Sequence, residues 1–401
     1  MAKERLGSKR ANLPLTAWRP LRIAAILILL TGCFQSSGPP GGRSCGPAPS
    51  TQVDLSGATT ISASDTWIVG LYQNQGPAVP FTEHWDGHAW TAVDAPAGPW
   101  VQAAHLSAVS AVGTRDIWAV GAGQNTGEEQ TLIEHWDGAS WAIVASPNAS
   151  VRTNDLAALD VIGANDAWAV GDYLGTVRDL ALTEHWDGAH WTLVDAEDPA
   201  AGINRLSGVS AVSPTDVWAV GFRRESDSTS PQTLIEHWDG LHWKVASSPS
   251  PGRTASLTSV HAVSAGDVWA VGNYDNGNTF LPLVEHWDGA SWTIESSPQA
   301  SNATMQAVAA RGPKDVWVAG ASSQGHGDDW LIQHWNGTSW MQTAPAQGAT
   351  GIVNAILAGG DDTWAIGTYR TTVCGPDWAL IQRWDGKAWT YVPSPHDGQQ
   401  A

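Results

Sequence analysis

Seven times the chain places a glutamate or glutamine, then a histidine or arginine, directly before a tryptophan. The copies are EHWDGHAW at 83, EHWDGASW at 134, EHWDGAHW at 184, EHWDGLHW at 236, EHWDGASW at 285, QHWNGTSW at 333 and QRWDGKAW at 382. Glutamate beside histidine can ligate a metal or move protons as a general acid and base. The copies act as an internal mutation series that argues against that chemistry. The turn aspartate becomes Asn336, the histidine becomes Arg383, and Glu134 has Gln333 and Gln382 as its counterparts. An asparagine cannot replace a catalytic carboxylate, but Asn-Gly turns a chain as well as Asp-Gly does. Arginine keeps a cation-capable donor and loses imidazole chemistry. Glutamine keeps an acceptor and loses the charge. The phrase reads as structural, with His135 expected to meet Asp116 across paired strands.

A second phrase precedes each copy: DTWIVG, DIWAVG, DAWAVG, DVWAVG, DVWAVG, DVWVAG and DTWAIG. Its tryptophans, Trp67, Trp118, Trp168, Trp218, Trp269, Trp317 and Trp364, recur every 47–51 residues. Within one repeat, LSAVSAV, IWAVGAG, TLIEHW and WAIVAS are four short β-type runs separated by turn signals. Their weak alternation suits sheets covered on both faces. Four strands at a period of about 50 residues predict an all-β fold, a seven-bladed β-propeller with four antiparallel strands per blade over residues 54–394. The repeats resemble kelch and galactose-oxidase-type propellers, and more narrowly secreted bacterial propellers with DVWAVG and HWDGxxW phrases. They depart from kelch in carrying one glycine where kelch repeats carry a doublet.

Residues 1–32 read as a lipoprotein signal peptide. Six basic residues lead into the eight-residue apolar run from Ile23 to Leu30, too short to span a bilayer, which needs roughly 20. Leu30-Thr31-Gly32-Cys33 resembles a bacterial lipobox, which implies lipidation of Cys33 and an exported, membrane-anchored protein facing outside the cytoplasm. Residues 33–53 form a Gly/Pro/Ser tether, and residues 395–401 are expected to be a loose tail. Removing the first 32 residues takes the formal charge from −19 to −24, which excludes non-specific nucleic-acid binding. Eighteen acids lie in the repeated phrases; without them 20 acids face 14 basic residues in the mature chain, so no acidic ligand trap is expected.

Function should sit where loops vary on a rigid scaffold. The spacing from phrase glycine to the following Glu or Gln is 13 residues in five repeats and 15 in the fourth and seventh. Tyr72, Tyr173, Tyr274 and Tyr369 stand two residues beyond that glycine, with Arg223 at the same place in the fourth repeat. Trp330 and Trp378 fall in the same variable segments. These seven residues are the candidate ligand-binding set, since a tyrosine or tryptophan ring suits a sugar or a peptide surface. The expected partner is a glycan or protein ligand at the cell surface, bound by a monomer without metal or cofactor. The competing reading is an extracellular carbohydrate-active hydrolase or lyase using Asp172, Asp179, Asp198 or Asp275. His105 and His326 are the non-motif histidines on the variable side.

In an oxidising compartment Cys45 and Cys374 are expected to form a disulfide that clips the first blade to the last. Cys45→Ser should then lower the melting temperature. Recovery of both cysteines as unmodified thiols in non-reducing peptide maps would exclude the bond.

Overall fold

The computed structural model describes residues 51–397, apart from 227, 297–299, 301, 324–327, 347–349, 360–361 and 371–375. Cys33, Cys45, His326 and Cys374 lie outside the described residues. The chain forms seven blades of four antiparallel strands, each blade built from one continuous segment. Blade 1 runs Thr51–Ser62, Asp65–Asn74, Val79–Trp85 and Trp90–Val93. The inner strands of the other blades are Ala103–Gly113, Asn154–Gly163, Ile203–Ser213, Thr254–Ser264, Ala303–Gly312 and Thr350–Gly359. Inner strands of successive blades are neighbours around the axis, and the seventh lies against the first. The wheel is closed.

The seams are tryptophan. Trp67 lies against Trp136 and Trp141 of the next blade, with ring centroids 4.9 and 5.5 Å apart. The same pair of contacts recurs at five more seams, ending with Trp364 against Trp85 and Trp90 at 5.4 and 5.7 Å, and between blades 5 and 6 Trp269 meets Trp340 edge-on at 6.3 Å. Burying one indole removes ~150–250 Å² from water, roughly 4–6 kcal/mol gross at ~25 cal/mol/Å². Each seam indole is backed by its blade's own histidine, as in Trp317 over His334 at 4.1 Å. That histidine bonds the aspartate leading the second strand: His84 Nε2 to Asp65 Oδ1 is 2.9 Å, and His135 to Asp116 is 2.8 Å. In blade 7 Arg383 does both jobs, lying over Trp364 at 5.4 Å and donating two bonds of 2.8 Å to Asp362.

The turns explain the Asp-Gly pair. Gly87 sits at φ 95°, in the left-handed region, and Asp86 Oδ1 accepts the amides of His88 and Ala89 at 2.8 and 2.9 Å. Asn336 Oδ1 accepts the equivalent two amides at 2.9 and 3.0 Å.

Inner strands of adjacent blades share no ladder, so side chains stitch them. Ser110 Oγ accepts the Val161 amide at 3.1 Å, Asp160 accepts that of Ala211 at 2.8 Å, and Ser210 accepts that of Ala262 at 3.0 Å. A one-residue bulge early in each inner strand gives further reach. From the bulged position Asn354 donates to Leu55 O of the first blade at 2.8 Å.

The Glu of EHW is fully buried in all five blades that have it, and so are Gln333 and Gln382. Burial pushes the carboxyls of Glu134, Glu184, Glu236 and Glu285 up to about 8. These glutamates are therefore mostly neutral at pH 7, which makes glutamine a near-isosteric equivalent. Among the described residues no group bonds either carboxyl oxygen of Glu134, Glu184 or Glu285. The unfolded chain ionises these groups from about pH 4.5 upward, while the folded chain holds their protons until about 8. Stability should therefore decline as pH rises from about 4.5 to 8 and then level off. Glu134→Gln, Glu184→Gln and Glu285→Gln combined should flatten that decline in thermal melts between pH 5 and 9. An unchanged slope would show that the buried carboxyls ionise normally.

Candidate functional site at the loop face

Each inner strand begins beside the end of its second strand, with Thr51 opposite Asn74, so its first residues lie under the variable loops. Just before a buried leucine, methionine or valine of that strand stands a residue whose chemistry differs from blade to blade. In order these are Asp54, His105, Asp155, Arg205, Ser256, Thr304 and Ile352. The phrase glycine makes room for them. A Cβ on Gly70 would lie 1.9 Å from Asp54 O, one on Gly121 2.1 Å from His105 O, and one on Gly221 2.0 Å from Arg205 O. The motif thus marks this position on the neighbouring strand.

Blades 1 to 4 bring charge together there. His105 Nε2 lies 3.7 Å from Asp155 Oδ1, an ion-pair distance too long for a hydrogen bond. Arg205 donates to Asp179 at 2.5 Å and stands 3.6 Å from Asp172. Asp172 is the cross-strand partner of Asp155, so Arg205 of blade 4 is pinned to carboxylates of blade 3. Asp54 is approached at 3.4 Å by the Asn354 amide of blade 7. Burial pushes its carboxyl up to about 6, reinforced by Asp377 and opposed by His105 and Arg370. For His105, burial alone would favour the neutral ring, but Asp155, Glu129 and Asp54 outweigh it and raise the imidazole. For Arg205, burial works against the charge, and Asp172 and Asp179 more than restore it. These groups form one network, with Asp54, Glu129, Asp155, Asp172, Asp179 and Asp377 set against Arg205, Arg370 and His105. The loop face is more acidic here than the mild excess of non-motif acids, 20 against 14 basic residues, implied.

The candidate aromatic set is distributed differently. Tyr72, Tyr173, Tyr274 and Tyr369 pack into four separate seam clusters and form no common platform. Tyr72 meets His396 edge-on with centroids 5.3 Å apart. Tyr369 is 9% exposed, and its hydroxyl donates to Asp397 O at 2.7 Å. Trp330 is 3% exposed in the same cluster, its indole donating to Thr368 O at 3.4 Å. Trp378 is half-buried beside it and pairs with Tyr369 across strands. Arg223 is half-buried, opposite Asn204. Of the four candidate carboxylates, Asp172 and Asp179 join the network through Arg205. Asp198 instead accepts the Ala181 amide at 3.0 Å, and Asp275 accepts that of Gly277 at 2.7 Å. Among the described residues no group of three His, Cys, Asp or Glu side chains could hold a metal ion.

No family model matches the sequence, and no curated protein does either. Solved structures match the fold. A polysaccharide lyase, an ulvan lyase bound to a GlcA(1-4)Rha3S chain, superposes with a TM-score of 0.57 at 12% identity, covering 88% of this chain and 98% of that one. The xyloglucanase from Xanthomonas campestris gives 0.54 at 13% identity, covering 87% of this chain and 55% of that one. YCF48 from Cyanidioschyzon merolae gives 0.50 at 14% identity, covering 81% and 95%. At these identities the likeness is one of fold.

Removing one partner of a buried ion pair strands the other, at roughly 3–5 kcal/mol. Arg205→Ala should therefore lower unfolding free energy by about 3 kcal/mol in urea titrations, because it leaves Asp172 and Asp179 facing each other. Adding Asp179→Asn should recover part of the loss. A loss below about 0.5 kcal/mol would mean that the network is solvated.

Proposed function

We propose that the protein is an exported propeller, lipid-anchored through Cys33 and kelch-like in its repeats, that binds an extracellular glycan on its loop face. The observation that carries this reading is the inner-strand position under the loops. There the repeat abandons its constancy and supplies Asp54, His105, Asp155 and Arg205 in succession, while Tyr173 and Tyr274 stand at the ends of the second strands of blades 3 and 5. Hydrogen-bonding groups of fixed geometry beside half-buried rings suit a sugar. The fold shared with an ulvan lyase and a xyloglucanase is compatible with glycan recognition and does not by itself assign it.

Charge narrows the ligand class. Six carboxylates of the network face two guanidiniums and one imidazole; Arg205 is already held by Asp172 and Asp179, and Arg370 by Asp377. A uronate or sulfated sugar would meet repulsion here, so neutral or amine-bearing glycans are the fitting ligands. The second reading is a carbohydrate-active enzyme. It is favoured by Asp54, whose carboxyl, poised at about 6 beside His105, suits a general acid or base.

Glycan arrays containing neutral, amine-bearing and uronate chains, run with a polysaccharide-degradation assay, separate the readings. Binding of neutral or amine-bearing chains without turnover is expected. Loss of that binding in His105→Gln, and in Tyr173→Ala with Tyr274→Ala, measured on chains that remain folded at the assay temperature, would support the site. Turnover abolished by Asp54→Asn would replace binding with catalysis, and selective capture of uronates would overturn the charge argument.

A further inference from the structure

Six of the seven seams are crossed by a covalent linker from one blade's fourth strand to the next blade's inner strand. The seam between blades 7 and 1 is crossed by none. It keeps the tryptophan contact, the bond from Asn354, and a Val53 amide donating to Asp377 O at 3.1 Å. We propose that the C-terminal segment, residues 393–397, is a non-covalent strap that takes the missing linker's place and holds the wheel shut.

Its position is that of a linker. Ser394-Pro395-His396 repeats Ser146-Pro147-Asn148 and Ser248-Pro249-Ser250 in sequence. In blades 2, 3 and 4 the third strand donates an amide to the linker residue 17 positions on: Thr131 to Asn148 at 3.1 Å, Ala181 to Asp198 at 3.0 Å and Thr233 to Ser250 at 3.2 Å. In blade 7 the Ala379 amide donates at the same offset, to the His396 carbonyl at 3.2 Å where the linkers offer a side-chain oxygen.

The strap then does what a linker does not have to do: it grips both blades through its side chains. Toward blade 1, His396 Nδ1 lies 3.0 Å from Oε1 of the fully buried Glu83. Its ring meets Phe81 and Tyr72 edge-on at 4.8 and 5.3 Å. Toward blade 7, the Asp397 carbonyl accepts the Tyr369 hydroxyl at 2.7 Å and its carboxylate accepts the Tyr391 hydroxyl. Ser394 and Asp397 are each 2% exposed. Among the described residues Glu83 is the one motif glutamate bonded by an imidazole, and it is the one at the unlinked seam. The expected loose tail is therefore a docked segment at least as far as Asp397.

A strap held by hydrogen bonds and ring contacts can undock without breaking a covalent bond, which makes this seam the site of local opening. Hydrogen exchange read by mass spectrometry tests this on the mature chain, on a chain ending at Pro393, and on His396→Ala with Asp397→Ala. Exchange in the strands Thr51–Ser62, Val79–Trp85 and Trp378–Trp384 should accelerate at least tenfold in both variants, with blades 3 to 5 unchanged. A synthetic peptide of residues 392–401 added to the shortened chain should restore protection. Unchanged exchange at the seam in the double variant would overturn the proposal. So would equal acceleration in every blade, since that reports general destabilisation. If the shortened chain fails to fold, the double variant alone decides between these outcomes.

Discussion

The molecule depends on a large flat ring being seated in each seam. An indole from the second strand of one blade must reach two indoles of the next, and the rest of the repeat serves that contact. The histidine or arginine behind it fixes the ring's tilt, and the aspartate fixes the histidine. The Asp-Gly turn holds the two partner tryptophans in register as a cross-strand pair, Trp85 with Trp90. Because the inner strands lie close to the axis, the second strand must also carry a residue without a side chain where an inner carbonyl crosses it. This is why the glycine persists in every copy while its neighbours drift among Val, Ile and Ala.

The buried Glu or Gln beside the histidine belongs to the same economy. It sits on an apolar third strand where a charge is poorly tolerated, so a protonated acid and an amide are interchangeable. In two blades the passing linker's backbone bonds this group: the Glu197 amide bonds Glu236 and the Ala346 amide bonds Gln382. At the unlinked seam an imidazole does so instead.

Most of this was legible in the sequence because seven copies vary independently. Trp67 to Trp364 set the blade number, and Asn336, Arg383 and Gln333 exposed the roles of the residues they replaced. The aromatic candidates stand near strand ends, but spacing does not reveal that a ring at a strand end turns into the seam, as Tyr369 and Trp330 do. The charged arc was read only in part, as His105, Asp172 and Asp179 taken singly, for the opposite reason. Repeats are read for what stays constant, and Asp54, His105, Asp155 and Arg205 differ. Aligning the inner strands on their buried leucine would have found them. The tail looked loose because its partner Glu83 is 313 residues away in sequence, and nothing local signals that contact.

The first described residues of the chain form the innermost strand of blade 1, not an edge strand at the rim. Tension arriving from upstream of Thr51 therefore enters at the axle, where that strand touches the inner strands of blades 2 and 7 as well as its own sheet. A rim strand under load would peel one hydrogen bond at a time from a single neighbour. An axle strand cannot slide without disturbing three, so a leash fixed there would drag the whole wheel before it unravelled a spoke.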